Sequence, residues 1–445
     1  MPESASSPVS TLTPAKTARQ RTDTFTSIWM IIAVAMAIVT LVVKNRMPQP
    51  LWTMIHLVTL GVLSNGIFQW SWFFARSLAR LSADDPRARR HNTIRILIFN
   101  ACFVLLFVSM WLGWMVGTMI AATGIAAVAA WHGAEMLSVL RERLASRFVI
   151  VVRYYVCSAS FFVLAALLAS FVSATMFSPS IPEAMVAMRD RLTLAHALSG
   201  VAGWVGLTIG GTVITLGPTI LRTRMSPDAV SGGVRVLLPW CLSLLLAIAG
   251  ALLGVMPLVG AGILAVGTCA IVGIVYPYAK VLRNKGPREY SAWSFLLGLL
   301  WISVGVCALG VASLFVSTPS QLRALTLMWL PIIGIAGFAQ LFQGALSYLM
   351  PVVIGGGPSV VRIGIAIIDW QYSLRLGLRN SALILELFLF FTSDSPSVHV
   401  LRMAGWFLVI ATFVIDVVIY AKTGVTQARA RRARSETLSE SRQVQ

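Results

Sequence analysis

The chain has 445 residues, of which 57% are hydrophobic and 11% charged, and its formal net charge is +19 at pH 7. A mean hydropathy of +0.82 excludes a soluble globular domain, in which roughly a quarter of the residues are charged. The basic residues lie in loops between apolar windows rather than on one face of a soluble fold, so nucleic acid is excluded as a partner, and membrane topology and lipid account for the charge.

Apolar windows fall at about 25 to 43, 51 to 75, 96 to 115, 116 to 139, 154 to 177, 192 to 220, 236 to 255, 258 to 279, 292 to 316, 325 to 354, 376 to 391 and 400 to 421. A helix rises about 1.5 Å per residue, so windows of this length read as membrane-crossing helices. The pattern predicts an all-α membrane protein of about twelve spans, with residues 25–421 as one transmembrane domain. Residues 1–24 are read as a cytoplasmic N-terminal tail and 422–445 as a basic, disordered cytoplasmic tail. The first window follows polar sequence and no small-residue cleavage site follows it, so it reads as a retained helix.

With the N-terminus inside, only Lys44, Arg46, Arg189, Arg191, Arg323 and Arg402 of the 35 Lys and Arg residues fall outside. That asymmetry places both termini in the cytoplasm and the chain in the plasma membrane. The longest outer loop, Ser178 to Arg191, contains SPSIPE and could form a short surface helix or a docking site. The segment Gly355 to Arg375 has Arg362, Asp369 and Arg375 among apolar residues, as expected of an amphipathic helix in the inner interface. Cys102, Cys157, Cys241, Cys269 and Cys307 all sit in apolar windows without a CxxC or Cys/His pair, and read as small core residues.

The second window reads IHLVTLGVLSNGIFQWSWFF, the sixth AHALSGVAGWVGLTIGGTVITLGP and the tenth GIAGFAQLFQGALSYLMP. All three run inward, are rich in glycine and recur every four windows. Similar helix starts follow at Arg95 with Asn100, Arg235 with Pro239, and Arg379 with Asn380. The expected organisation is three pseudo-repeated four-helix units, with the second, sixth and tenth helices packed through small residues. This plan, with histidines near the outer ends of the second and sixth helices, resembles the heme-copper oxidase subunit I scaffold. It is closer to the NnrS-like membrane proteins and to an actinobacterial group associated with copper-oxidase domains. The resemblance implies heme or copper as cofactor and a cupredoxin-type copper oxidase or an electron-transfer protein as partner. The chain departs from the oxidase pattern in three places: the seventh helix has no histidine, the tenth has Gln340 and Gln343 in place of a His-x-His, and Gly200 stands where a tyrosine would follow His196. A complete oxygen-reducing centre cannot be assembled from these residues.

His56 and His196 occupy matching places about five residues into their windows, where imidazole can ligate heme iron or copper. The bland alternative is that each bonds a neighbouring carbonyl. His132 and Glu135, three apart on the fourth helix, share a face and could ligate a metal or relay protons, or simply bond each other. Glu386 and Asp416 are carboxylates at membrane depth, and with Gln340, Gln343 and Asn65 they could line a proton or solute path or bond between helices. No Walker A, GxSxG or HExxH motif is present. Three readings follow: a heme- or copper-binding redox or metal-handling protein, a secondary transporter, and a cofactor-free structural or assembly subunit.

Overall fold

In the computed structural model the described residues are all except 1–17, 44, 45, 48, 83, 144–148, 178–181, 225, 226, 285, 394, 444 and 445. They form helices α1 (Ala18–Val43), α2 (Pro50–Ala79), α3 (Arg89–Leu112), α4 (Met115–Glu142), α5 (Val149–Met176), α6 (Glu183–Ile220) and α7 (Pro227–Leu253). Then come α8 (Met256–Arg283), α9 (Tyr290–Ser313), α10 (Pro319–Ile354), α11 (Pro358–Ile368), α12 (Tyr372–Leu389) and α13 (Pro396–Gln443). Ten of these, α2 to α10 and α13, are long and apolar enough to cross a membrane. Helices suit such a chain because each backbone donor finds its acceptor within the segment, and lipid offers none. Large apolar side chains such as Leu112, Phe391 and Phe407 are more than two-thirds exposed, as a lipid-facing surface requires.

The chain divides into two compact units, residues 1–211 and 212–445. In the first, α4 packs on α3 and α5, and α6 packs on α5. Its interior is aromatic: Phe68, Phe99, Phe103, Trp72, Tyr154 and Trp204 are essentially inaccessible, and Phe162 stacks on Trp204 at 4.6 Å. In the second unit α8 lies between α7 and α9, α10 packs on α9, and α11 and α12 pack on α13. The α9–α10 contact depends on glycine, because a Cβ at Gly298 or Gly344 would overlap the facing backbone at Leu341 or Phe295. One turn geometry serves both units. Gly113 (φ 66°) ends α3 and Gly254 (φ 77°) ends α7, each followed by an N–H reaching back five residues, from Trp114 to Ser109 O and from Val255 to Gly250 O, both 2.8 Å.

Several expectations are corrected. The windows near 25–43 and 376–391 do form helices, α1 and α12, but α12 has 18 residues and carries Arg375, Arg379 and Glu386. The segment Ser178 to Arg191, for which a short helix is one of the expected forms, is helical from Glu183 on and takes in Arg189 and Arg191; residues 178–181 of the SPSIPE stretch lie outside the described set. The segment Gly355 to Arg375 is not one amphipathic helix. It breaks at Gln371 (φ 49°), and Arg375 belongs to α12, where its guanidinium donates to the Ile368 and Trp370 carbonyls freed at the end of α11. The residues beyond Lys422, expected to be disordered, continue α13 as helix to Gln443, and Arg431 and Arg434 tie that extension to the turn after α10. Of the N-terminal tail, residues 1–17 lie outside the described set and the rest is already helix.

Candidate functional site

Helices α2, α6 and α10 share an unusual local form. Each turns π-helical part-way along, over Leu57–Ser64, Leu198–Gly206 and Ile332–Ala339. Such stretches widen the turn and loosen carbonyls from their usual partners. Polar side chains take up the slack: Ser64 Oγ donates to Thr59 O at 2.8 Å and Asn65 Nδ2 to Gly61 O at 2.8 Å. Glycine lets the widened turns approach their neighbours, since a Cβ at Gly61 would lie 3.2 Å from Trp29 and one at Gly203 would press 2.5 Å from Phe161.

His56 ends the regular part of α2 just before its π-helical stretch, and His196 stands at the corresponding place on α6, fourteen residues into a helix that begins at Glu183 rather than five into a window. Their rings are nearly parallel, 12° apart, with centroids 6.1 Å apart. His56 Nδ1 lies 2.8 Å from Trp52 O, and His196 Nδ1 lies 2.8 Å from Ala165 O on α5. A carbonyl only accepts, so both Nδ1 atoms carry the proton and both Nε2 atoms keep a free lone pair. The Nε2 atoms make no hydrogen bond among the described residues. Trp52 stacks on the His56 ring, centroids 4.3 Å apart. Eight residues further along each helix, Trp204 Nε1 donates to Ser64 Oγ at 2.9 Å and ties the two π-helical stretches together. The buried Nε of Arg191, five residues before His196 on α6, has no hydrogen-bond partner.

Two imidazoles on one metal atom, with bonds of about 2.0 Å and about 1.1 Å from each nitrogen to its ring centre, have centroids about 6 Å apart. The observed pair fits that spacing and the proton arrangement that ligating imidazoles need. Among the described residues no group of three His, Cys, Asp or Glu could hold a metal ion. Heme supplies four nitrogens of its own and needs only two from the protein, whereas a bare copper ion here would have two protein ligands.

His132 and Glu135 do not form a pair. His132 is wholly buried with Nε2 3.2 Å from Ser71 Oγ and Nδ1 unpartnered, and the rings of Phe68, Trp72 and Trp204 surround it. Glu135 instead accepts from Arg95, from Trp131 Nε1 at 2.9 Å and from His91 Nδ1 at 2.8 Å. Arg95 lies between the rings of Trp72 and Trp131, 5.1 and 5.4 Å from their centroids.

The polar groups offered as a path are bonded to one another. In the first unit Asn65 and Asn100 exchange amide hydrogen bonds at 2.7 and 3.2 Å, and Trp29 Nε1 donates to Asn100 Oδ1 at 2.6 Å. In the second, Gln340 and Asn380 exchange them at 3.1 and 3.2 Å, and Trp301 Nε1 donates to Asn380 Oδ1 at 2.8 Å. Asp416, wholly buried, accepts from Arg375, Arg379 and, at 2.6 Å, from Tyr290; Gln343 Oε1 accepts from Arg379 at 3.0 Å and lies 3.1 Å from the same Tyr290 hydroxyl. Glu386 is separate: one carboxylate oxygen is buried without a partner and the other is 3.9 Å from Arg402 Nε.

The buried arginines were missed from sequence, although a signal exists. Arg95 and Arg375, both buried, recur at equal intervals with Arg235, which is exposed, and Asn100 and Asn380 each stand five residues beyond their arginines. The matching register therefore pairs Arg95 with Arg375, not with Arg379. Trp204 and Ser64 were also missed, as nothing in an apolar window marks one tryptophan as an interhelical tie. The chain matches no protein-family model and no curated protein.

Proposed function

We propose that this protein crosses the plasma membrane twelve times, with both termini in the cytoplasm, on a heme-copper oxidase-like plan of three four-helix units, and binds one heme between His56 and His196 for electron transfer. The carrying observation is the imidazole pair: parallel rings 6.1 Å apart, each with Nδ1–H given to a carbonyl. The twelve spans are the ten long apolar helices together with α1 and α12. The repeat is supported by the shared Trp–amide clasps and by the shared turns at Gly113 and Gly254.

Bound heme supplies a one-electron couple; the chain's residues hold and tune it. The Trp52 and Ala165 carbonyls fix ring orientation and make Nε2 a better donor. The Trp204–Ser64 bond keeps the two histidine-bearing helices aligned. Trp52 covers one imidazole face against water. The partner is a cupredoxin-type copper oxidase or another electron-transfer protein. Transport has less support, because Asp416, Gln340, Gln343 and Asn65 spend their hydrogen bonds on one another and on arginine.

The test is the absorption spectrum and metal content of the protein purified from heme-replete cells. A Soret band with the low-spin signature of two imidazoles, lost in His56→Ala and in His196→Ala while the variants stay folded, is expected. Stoichiometric copper without heme moves the reading to copper. Neither cofactor, or an unchanged spectrum in His196→Ala, overturns it and leaves the structural subunit.

A further inference from the structure

We infer that the second unit carries a built site for the phosphate of an anionic phospholipid, in the cleft between the end of α10 and the last turns of α13. The apolar helix α10 ends at Ile354, and the end of a membrane-crossing helix is where headgroups are met. Gly355, Gly356 and Gly357 follow with φ of 71°, 98° and 85°, a run of left-handed backbone that only glycine adopts without strain. Helix α13 passes this turn and fastens to it. Arg431 Nη1 donates to Ile354 O at 2.8 Å, and Arg434 Nη1 donates to Gly356 O at 3.0 Å and to Ser359 Oγ at 2.7 Å. A Cβ at Gly357 would sit 2.6 Å from Arg434 Nη1, and one at Gly356 would sit 3.2 Å from Arg431 Cβ, so the absent side chains make room for the arginines.

The cleft that results is lined by Ile354, Ala428, Arg431, Arg432 and Ser435. No carboxylate is among them. Two guanidiniums and a hydroxyl supply donors for phosphate oxygens, and the planar fork of arginine suits two oxygens at once. Ile354 and Ala428 give an apolar wall on the side from which acyl chains would come. A free phosphate would use the donors and leave that wall wet; a lipid uses both. Because Arg431 is already held by a backbone carbonyl, part of the ordering cost of binding is met before the ligand arrives.

Native mass spectrometry of the full chain tests this, with phosphatidylglycerol and phosphatidylcholine as probes and inorganic phosphate as competitor. Phosphatidylglycerol should be retained preferentially. Arg432→Gln should lower its retention roughly fivefold, the usual worth of one basic residue against an anionic headgroup. Arg432 makes no hydrogen bond among the described residues, so this variant keeps the fold. Arg429→Gln removes the same charge from the same helix outside the cleft and should leave retention unchanged. Equal retention of the two lipids, or equal losses in the two variants, overturns the site in favour of diffuse attraction. Displacement of the lipid by millimolar phosphate overturns the lipid and assigns the cleft to the free anion.

Discussion

Replacing Asp416 by asparagine tests whether the polar cluster of the second unit is an ion-pair lock or a conduit. The change keeps side-chain volume and leaves an oxygen to accept from the Tyr290 hydroxyl, now 2.6 Å away. It removes the single carboxylate that Arg375 and Arg379 both address, and those guanidiniums are 4% and 0% exposed. Their other donors go to neutral acceptors: the Ile368 and Trp370 carbonyls, Thr412, Gln343 and Tyr290. Losing one partner of a buried ion pair costs about 3–5 kcal/mol, because the remaining charge stays desolvated. Two guanidiniums share the loss here, so the upper part of that range is expected. Asp416→Asn combined with Arg379→Gln removes one surplus charge and should recover part of the loss. Reversible unfolding in detergent–lipid micelles, read by tryptophan fluorescence for the wild type, both single variants and the double, gives the coupling energy. A stability within about 1 kcal/mol of wild type for Asp416→Asn, together with a loss of proton or solute flux in vesicles, would refute the lock and restore the transport reading.

The remaining predictions concern other parts of the chain. The Arg87 side chain, hydrogen-bonded to Asp85, holds that carboxyl below the usual carboxylate range, so the loop between α2 and α3 gains stability from it above about pH 4. That contribution is lost as pH falls through the lowered value, so the protection factors of residues 84–91, which correct exchange for its intrinsic pH dependence, should fall only at strongly acidic pH and hold between pH 5 and 8. Trp29→Phe and Trp301→Phe each delete one interhelical hydrogen bond to an asparagine, and each should cost about 0.6 kcal/mol plus lost ring area; unfolding midpoints that respond to only one of them would break the parallel between the two clasps. Asp369 accepts from the first backbone N–H of α9, and burial pushes its carboxyl up. Asp369→Asn, which keeps the acceptor, should therefore be neutral or slightly stabilising by thermal unfolding, while Asp369→Ala should lose about 1 kcal/mol as a cap.

Much of the architecture was legible because lipid imposes one simple rule on long segments: apolar stretches of sufficient length become helices. The same rule hid the ends and the exceptions. α12 looks short because Arg375 and Arg379 interrupt its apolar run, and only the packing shows that Asp416 neutralises one of them. The extension of α13 reads as disordered by composition, and its order comes from arginine contacts to a glycine turn far away in sequence. At the site, the histidines were visible by their rarity and matched positions. That each bonds a backbone carbonyl was the alternative reading, and both do; which carbonyl was not legible, since a backbone oxygen leaves no mark in sequence. His132 and Glu135 illustrate the converse: a spacing that puts two groups on one face does not join them when Ser71 and Arg95 offer better partners.

The π-helical stretches of α2, α6 and α10 carry one more consequence. A helix that widens part-way acts as a rotary joint, setting the azimuth of its two halves separately. Deleting one residue from Leu57–Ser64 would either close the widened turn to ordinary α-helix or, with the widening kept, turn everything beyond it by most of the roughly 100° that one α-helical residue subtends. In the second case Asn65 would face away from Asn100, and Phe68 and Trp72 would leave the aromatic interior, while His56 stayed where it is. Length in these three helices is thus a phase variable as well as a measure of membrane thickness. A change of length there alters which residues face the interior even where any apolar residue would satisfy the lipid.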